Sequence, residues 1–338
     1  MKSPGKPSTY DVLRAHGVDR RTFLAYCTKT AAVLGLSAAA VPDIVHALTT
    51  NPRIPVIWLH GLECTCCSES LLRSSQPIVQ DVIMNMISLD YDDTLQAAAG
   101  FQAEKIREDI MAGYPGQYVL AVEGNAPTKD GGIYCTVGGR TFLDVLQETA
   151  ARAMAVIAWG TCATSGCVQA ASPNPTGAQP VSAVVTGKPV VNIPGCPPIA
   201  EVMTGVITYL TTYGSLPALD SLGRPTAYYG RTVHDRCARR ENFEEGRFVE
   251  KWDDRGARSG WCMFKMGCRG PVTRNSCSTT KFNGGTSWPV DSGHPCIGCS
   301  ERNFWDNGPL YQMLDPALVL PHDHPSIGSD FDCRRCHD

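Results

Sequence analysis

The sequence lacks a surplus of either charge. Its 30 Lys and Arg stand against 33 Asp and Glu, a formal net charge of −3, and nothing in that balance draws nucleic acid. It also lacks, beyond Met313, any apolar run near the roughly 20 residues that a membrane span needs. That stretch reads Leu-Asp-Pro-Ala-Leu-Val-Leu-Pro321 and passes into a polar tail. A form that is soluble, anchored through a partner, or cut short before an anchor is therefore expected. Cysteine, by contrast, is abundant at 16 residues in 338. A reducing cytosol would assign these thiols to metal and an oxidising exterior to disulfides, so the compartment decides their chemistry.

The N-terminus speaks to the compartment. Val18-Asp-Arg-Arg-Thr-Phe-Leu24 has the form of a twin-arginine signal, followed by the apolar stretch 31–41 and a small-residue cleavage site, Val45-His-Ala47. Residues 1–47 are accordingly set outside the fold, and Cys27 within them has no role. The twin-arginine route exports folded proteins, so the cysteines can be metallated before they meet an oxidising space, and a periplasmic location follows.

The chain is organised around Gly61-Leu-Glu-Cys-Thr-Cys-Cys-Ser-Glu-Ser70. An apolar run, Pro55-Val-Ile-Trp-Leu59, reads as a buried strand before it, and Ser68–Arg73 reads as the first turns of a helix after it. Three thiols, Cys64, Cys66 and Cys67, thus sit on a strand-to-helix turn, where free backbone N–H groups stabilise thiolates and anionic sulfide. A disulfide knot is the bland alternative, but adjacent Cys66 and Cys67 cannot easily bridge each other, and a metal cluster suits the triplet better.

From residue 48 to about 225, short β-branched runs alternate with helical or glycine-rich stretches, the pattern of an α/β domain with a mostly parallel sheet. The expected strands are 56–59, 86–89, 118–122, 155–159 and 189–193. The first ends in the cysteine triplet, the third in Glu123-Gly-Asn, the fourth in Gly160-Thr-Cys162 with Cys167 five residues on, and the fifth in Pro194-Gly-Cys-Pro-Pro198. Ligands of open α/β sheets lie beyond the carboxyl ends of the strands. Cys64, Cys67, Cys162, Cys167, Cys196 and the Glu123 carboxylate are therefore expected to converge, with Cys66 as a sixth thiol. Cys135, near a glycine-rich turn, reads as a small buried hydrophobe.

From about residue 226 the chain becomes loop-rich, charged and dense in Cys, Gly and Pro, as expected of a smaller region held by metal rather than by a large core. It offers His234 and Cys237 (His-x-x-Cys), Cys262, Cys268, Cys277, and Cys296 and Cys299 (Cys-x-x-Cys). Disulfides are again the alternative, against which His234 tells. Six cysteines and one histidine divide into four ligands and three.

Together these motifs resemble the small, electron-transferring subunit of a nickel–iron uptake hydrogenase, from the twin-arginine signal to about residue 312. The resemblance implies a flavodoxin-like parallel-sheet domain over 48–225, a loop-rich cluster domain over 226–315 and a polar tail over 316–338. It implies that Cys64, Cys67, Cys162 and Cys196 hold a proximal cluster. It likewise implies that His234, Cys237, Cys262 and Cys268 hold a distal 4Fe-4S cluster, and that Cys277, Cys296 and Cys299 hold a medial 3Fe-4S cluster, with Pro289 in place of the missing fourth medial ligand. Cys66 and Cys167 match the two additional cysteines of the dioxygen-tolerant, membrane-bound type, whose proximal centre is 4Fe-3S rather than 4Fe-4S, and Glu123 matches the carboxylate beside it. Glu63 and Thr65 match positions on a suggested proton route, or serve only to cap the turn. The resemblance further implies that the nickel–iron site lies on a separate large subunit, in a heterodimer or a dimer of heterodimers, and that a cytochrome b or c accepts the electrons.

The tail ends Cys333-Arg-Arg-Cys-His337, so Cys333, Cys336 and His337 satisfy the attachment pattern of c-type haem. A local disulfide, or metal binding with His322 and His324, satisfies the same residues. Two further readings stand beside the hydrogenase: an iron–sulfur subunit of a quinone-reducing complex, against which the cysteine-rich second half and the export signal argue, and an exported disulfide-rich binding protein, which would be colourless and iron-free.

Overall fold

The computed structural model describes residues 7–33, 36–50 and 52–315. Five parallel strands, β1 (Ile54–His60), β2 (Ile87–Asp92), β3 (Val119–Glu123), β4 (Ala155–Trp159) and β5 (Val190–Ile193), form one sheet in the order β2-β1-β3-β4-β5. That order is the flavodoxin-like one, and all five strands fall where the sequence places them. Only β2 runs noticeably further than its apolar run, through Asp90-Tyr-Asp92. As an edge strand paired on one side only, it tolerates polar residues that a central strand would not.

The helices that matter for the site are α1 (Thr9–Ala15), α2 (Arg20–Val33), α3 (Val41–Thr50), α4 (Cys66–Leu72), α5 (Phe101–Gly113), α6 (Phe142–Ala151), α7 (Gly160–Ser165) and α8 (Ala200–Tyr213). Both faces of the sheet are covered. Val56, Trp58, Val119, Ala121, Ile157 and Trp159 pack under Leu71, Val202, Met203 and Val206 of α4 and α8. Ile57, Leu59, Leu120 and Val122 face the other way, onto Ala103 and Met111 of α5 and Val145 and Leu146 of α6. Burial on both faces is why these strands read as continuous apolar runs rather than as alternating ones.

The sequence sets residues 1–47 outside the fold, whereas the structure packs α1, α2 and α3 around Leu13, Phe23, Cys27, Ile44 and Leu48. α3 lies against α8, and Tyr26 reaches the core on that side of the sheet. The apolar side chains that make an export signal recognisable are the ones water drives onto the nearest apolar helix face.

Beyond residue 226 the described chain forms no sheet, and its helices run five residues or fewer. It is not an independent bead, because Tyr229, Val233, Cys277, Trp288 and Val290 belong to the same core as β1, β3 and β4.

Candidate metal centres

The register brings the strand ends level: His60 pairs with Glu123, Glu123 with Trp159, and Trp159 with Ile193. The segments that leave these ends meet at one edge of the sheet. Glu63, Cys64, Cys66, Cys67, Glu123 and Gly124 line a cavity with about 260 Å³ of empty space, closed on its far side by Thr161, Cys162, Gly195, Cys196 and Pro197. Cys167, wholly buried, joins them by packing against Cys162. All six expected thiols therefore meet, together with Glu123. Cys135 lies apart, half-buried against the core of β3.

Glu123 orders the triplet. Its buried carboxylate accepts from the Cys67 N–H at 2.9 Å, the Ser68 N–H at 3.1 Å and the Ser68 hydroxyl at 2.6 Å, which satisfies N–H groups of α4 that its own first turn leaves free. Burial raises the Glu123 pKa, opposed by Ser68, His60 and the Cys67 N–H. Thr65, in left-handed backbone at φ 62°, donates its hydroxyl to Glu63 at 3.2 Å. Gly160, at φ +78°, is the closest approach: a Cβ there would overlap the Cys67 sulfur.

Burial pushes the Cys64 thiol up to about 12 and the Cys67 thiol well above its usual range. The Cys167 S–H lowers Cys162, and it lowers Cys196 to about 7. Several buried thiols that resist ionising on their own need a cation to accept them as thiolates.

The second set is equally compact. His234, Cys237, Cys262 and Cys268 line a cavity with about 300 Å³ of empty space, beside Trp288 and Val290. Burial, then the Arg240 charge, lowers the His234 pKa, which keeps the imidazole neutral as a nitrogen ligand must be. Its ring meets Phe243 edge-on at 4.6 Å. In the third set, burial first and then the charges of Cys299 and Cys296 raise Cys277, so these three thiols are mutual neighbours. Pro289 sits between the buried Trp288 and Val290, and its carbonyl accepts from the His294 N–H at 2.8 Å.

The three sets touch. Cys162 and Cys167 pack with Cys299, and the Cys296 N–H donates to the Cys268 sulfur at 3.4 Å. All 14 described cysteines are free thiols, so no disulfide forms among the described residues. The expected haem residues Cys333, Cys336 and His337 lie outside them.

Sequence reasoning missed His60. Only 7% exposed, its Nδ1 faces Glu63 at 3.4 Å and Glu123 at 3.8 Å, while Nε2 faces Asp92 at 3.3 Å and Asp93 at 3.6 Å. The strand-end rule that located the thiols could have found it, since His60 ends β1 and Asp92 ends β2. Burial alone would lower the His60 pKa, but the bonds to Asp92 and Glu63 and the charges of Asp93 and Asp92 raise it to about 10. The folded value lies above the ordinary value of 6.5, so its contribution to stability is full below about pH 6.5 and is lost as pH rises through about 10. A His60→Gln protein should melt well below the parent at pH 6, with the gap closing by pH 10. An equal gap at both values would refute the protonated pairing.

Residues 64–210 match the family described as the NADH ubiquinone oxidoreductase 20 Kd subunit, and residues 229–312 match the C-terminal family of the NiFe/NiFeSe hydrogenase small subunit. The chain is 60% identical over 322 residues to the uptake hydrogenase small subunit of Azotobacter vinelandii, covering 95% of this chain and 90% of that one. With the uptake hydrogenase small subunit of Cupriavidus necator the identity is 58% over 305 residues, covering 90% and 85%. Among solved structures, a reduced, active form of the Ni-Fe-Se hydrogenase from Desulfomicrobium baculatum superposes with a TM-score of 0.73 at 32% identity, covering 78% of this chain and all of the matched one.

Proposed function

Because this chain belongs to the small-subunit family of nickel–iron uptake hydrogenases, we propose that its three thiol sets hold three iron–sulfur clusters in line, as the electron path of an enzyme that oxidises dihydrogen on a separate nickel–iron large subunit. The observation that carries this reading is the contact between sets: Cys162 and Cys167 pack with Cys299, and Cys296 meets Cys268. A route from the sheet edge to the distal cavity is therefore continuous within one chain. Bound iron–sulfur clusters take up and pass on single electrons.

The donor chemistry fits such groups. Free thiols, some buried and some open to the cavities they line, with one neutral imidazole among them, are soft ligands suited to such groups. Cys64, Cys66, Cys67, Cys162, Cys167 and Cys196 would hold the proximal cluster, a 4Fe-3S centre on the six-thiol reading. Cys277, Cys296 and Cys299 would hold a medial 3Fe-4S cluster, and His234, Cys237, Cys262 and Cys268 a distal 4Fe-4S cluster. Extra anionic ligands favour oxidised iron, which supports a proximal site suited to uptake in air, with Glu123 beside it. Glu63 and Thr65, hydrogen-bonded to each other, would carry protons on the same reading. Export through the twin-arginine route to the periplasm and a cytochrome b or c as acceptor complete the proposal. No described helix is long and apolar enough to cross a membrane. The quinone-reducing alternative draws on the match over 64–210, whereas 229–312 matches the hydrogenase family.

Iron and acid-labile sulfide on the chain co-purified with its large subunit test this directly. About 11 of each per small subunit are expected, with two successive one-electron oxidations of the proximal centre in a redox titration followed by electron paramagnetic resonance. Iron-free protein would overturn the reading. A single proximal transition would remove the claim made for Cys66 and Cys167.

A further inference from the structure

Thr161 stands between Gly160 and Cys162 and is only 1% exposed, yet its side chain is no part of any ligand set. Its backbone N–H donates to the Gly195 carbonyl at 2.9 Å, and its hydroxyl accepts from the Gly195 N–H at 3.0 Å. The same hydroxyl donates to the Cys299 carbonyl, 138 residues further along the chain. The direction of both bonds is fixed by chemistry. A backbone N–H can only donate and a carbonyl can only accept, so the one hydroxyl proton must point at Cys299 while a lone pair faces Gly195.

One side chain thereby joins three loops: its own, which carries Cys162, the 194–198 loop, which carries Cys196, and the Cys-x-x-Cys loop, which carries Cys299. Cys162 and Cys167 also pack with Cys299 across the same junction. Outer partners that fix ligand orientation commonly matter nearly as much as the ligands themselves. The hydroxyl is also costly to remove, because it would leave a buried N–H and a buried carbonyl unpaired.

We propose that Thr161 is a positioning residue whose hydroxyl fixes the proximal ligand loops against the medial one and so sets the electronic contact between the two sites. This rests on the cluster assignment above. It needs no proton transfer and no change of charge, only a hydroxyl held in place.

The test uses the complete heterodimer with Thr161→Val, which keeps the shape and removes the hydroxyl, and Thr161→Ser, which keeps the hydroxyl. In T161V the magnetic interaction between proximal and medial centres should weaken. Reduction of the medial centre by dihydrogen should slow about tenfold, the lower end of what loss of an outer-shell partner costs, with KM for dihydrogen unchanged. T161S should restore both readouts. Parental splitting and rate in T161V, or equal impairment in T161V and T161S, would overturn the proposal. Should T161V fail to hold iron, T161S against Thr161→Ala decides it: a parental T161S beside an impaired T161A supports the hydroxyl, and two alike refute it. An iron-free parent protein would instead strike the cluster assignment itself.

Discussion

A Gly160→Ala chain should emerge with its proximal site unloaded and its medial and distal sites filled. Gly160 closes β4 and opens α7 at φ +78°, in the left-handed region that a side chain strains. Strain is the smaller effect. The added Cβ would occupy the space of the Cys67 sulfur, and the surroundings offer little room, with the Gly195 carbonyl 3.5 Å and the Pro198 Cδ 3.8 Å from the same point. Cys67 cannot retreat, because its N–H is held by the buried Glu123. Iron per small subunit should therefore drop from about 11 to about 7, the difference being one four-iron centre. The medial and distal signals in electron paramagnetic resonance should persist. Full iron content in G160A would show that the triplet turn can shift to admit a methyl group.

Trp159→Ala carries the largest expected effect on stability. The side chain is fully buried and stacks on Trp58, with ring centroids 5.7 Å apart and planes 23° from parallel. Truncating a buried tryptophan removes its transfer free energy and leaves a cavity, together about 3–5 kcal/mol. A lowered denaturation midpoint with an unchanged slope would confirm the loss. Trp159→Phe should cost less, because the smaller ring leaves a smaller cavity and the Trp159 indole N–H has no hydrogen-bond partner to lose. Equal losses in the two variants would assign the effect to that N–H and not to packing.

The strands were legible because a parallel sheet covered on both faces demands continuous β-branched runs, and Val119–Glu123 and Ala155–Trp159 are buried throughout. The meeting of the first six thiols was legible because their segments leave neighbouring strand ends, whereas the division of the later cysteines and His234 into two sets came from the family resemblance. The His60 cluster lies within reach of the same strand-end rule, since its members come from the ends of β1, β2 and β3, but no short spacing along the chain marks them as a group. The junction made by Thr161 was hidden for the same reason. The packing of residues 7–50 was hidden by a different one: an export signal and an amphipathic helix use the same apolar residues.

The shared core has a consequence for how the molecule is built. Val233, Cys277, Trp288 and Val290 bury themselves against the surface formed by β1, β3, β4, α4 and α8. The second region has no separate core at these positions, and Cys277 is seated in the one it shares with the sheet. The two regions therefore stand or fall as one cooperative unit, because a single apolar core serves both. Displacing the later half of the chain would therefore lay bare the apolar face of the sheet that it covers.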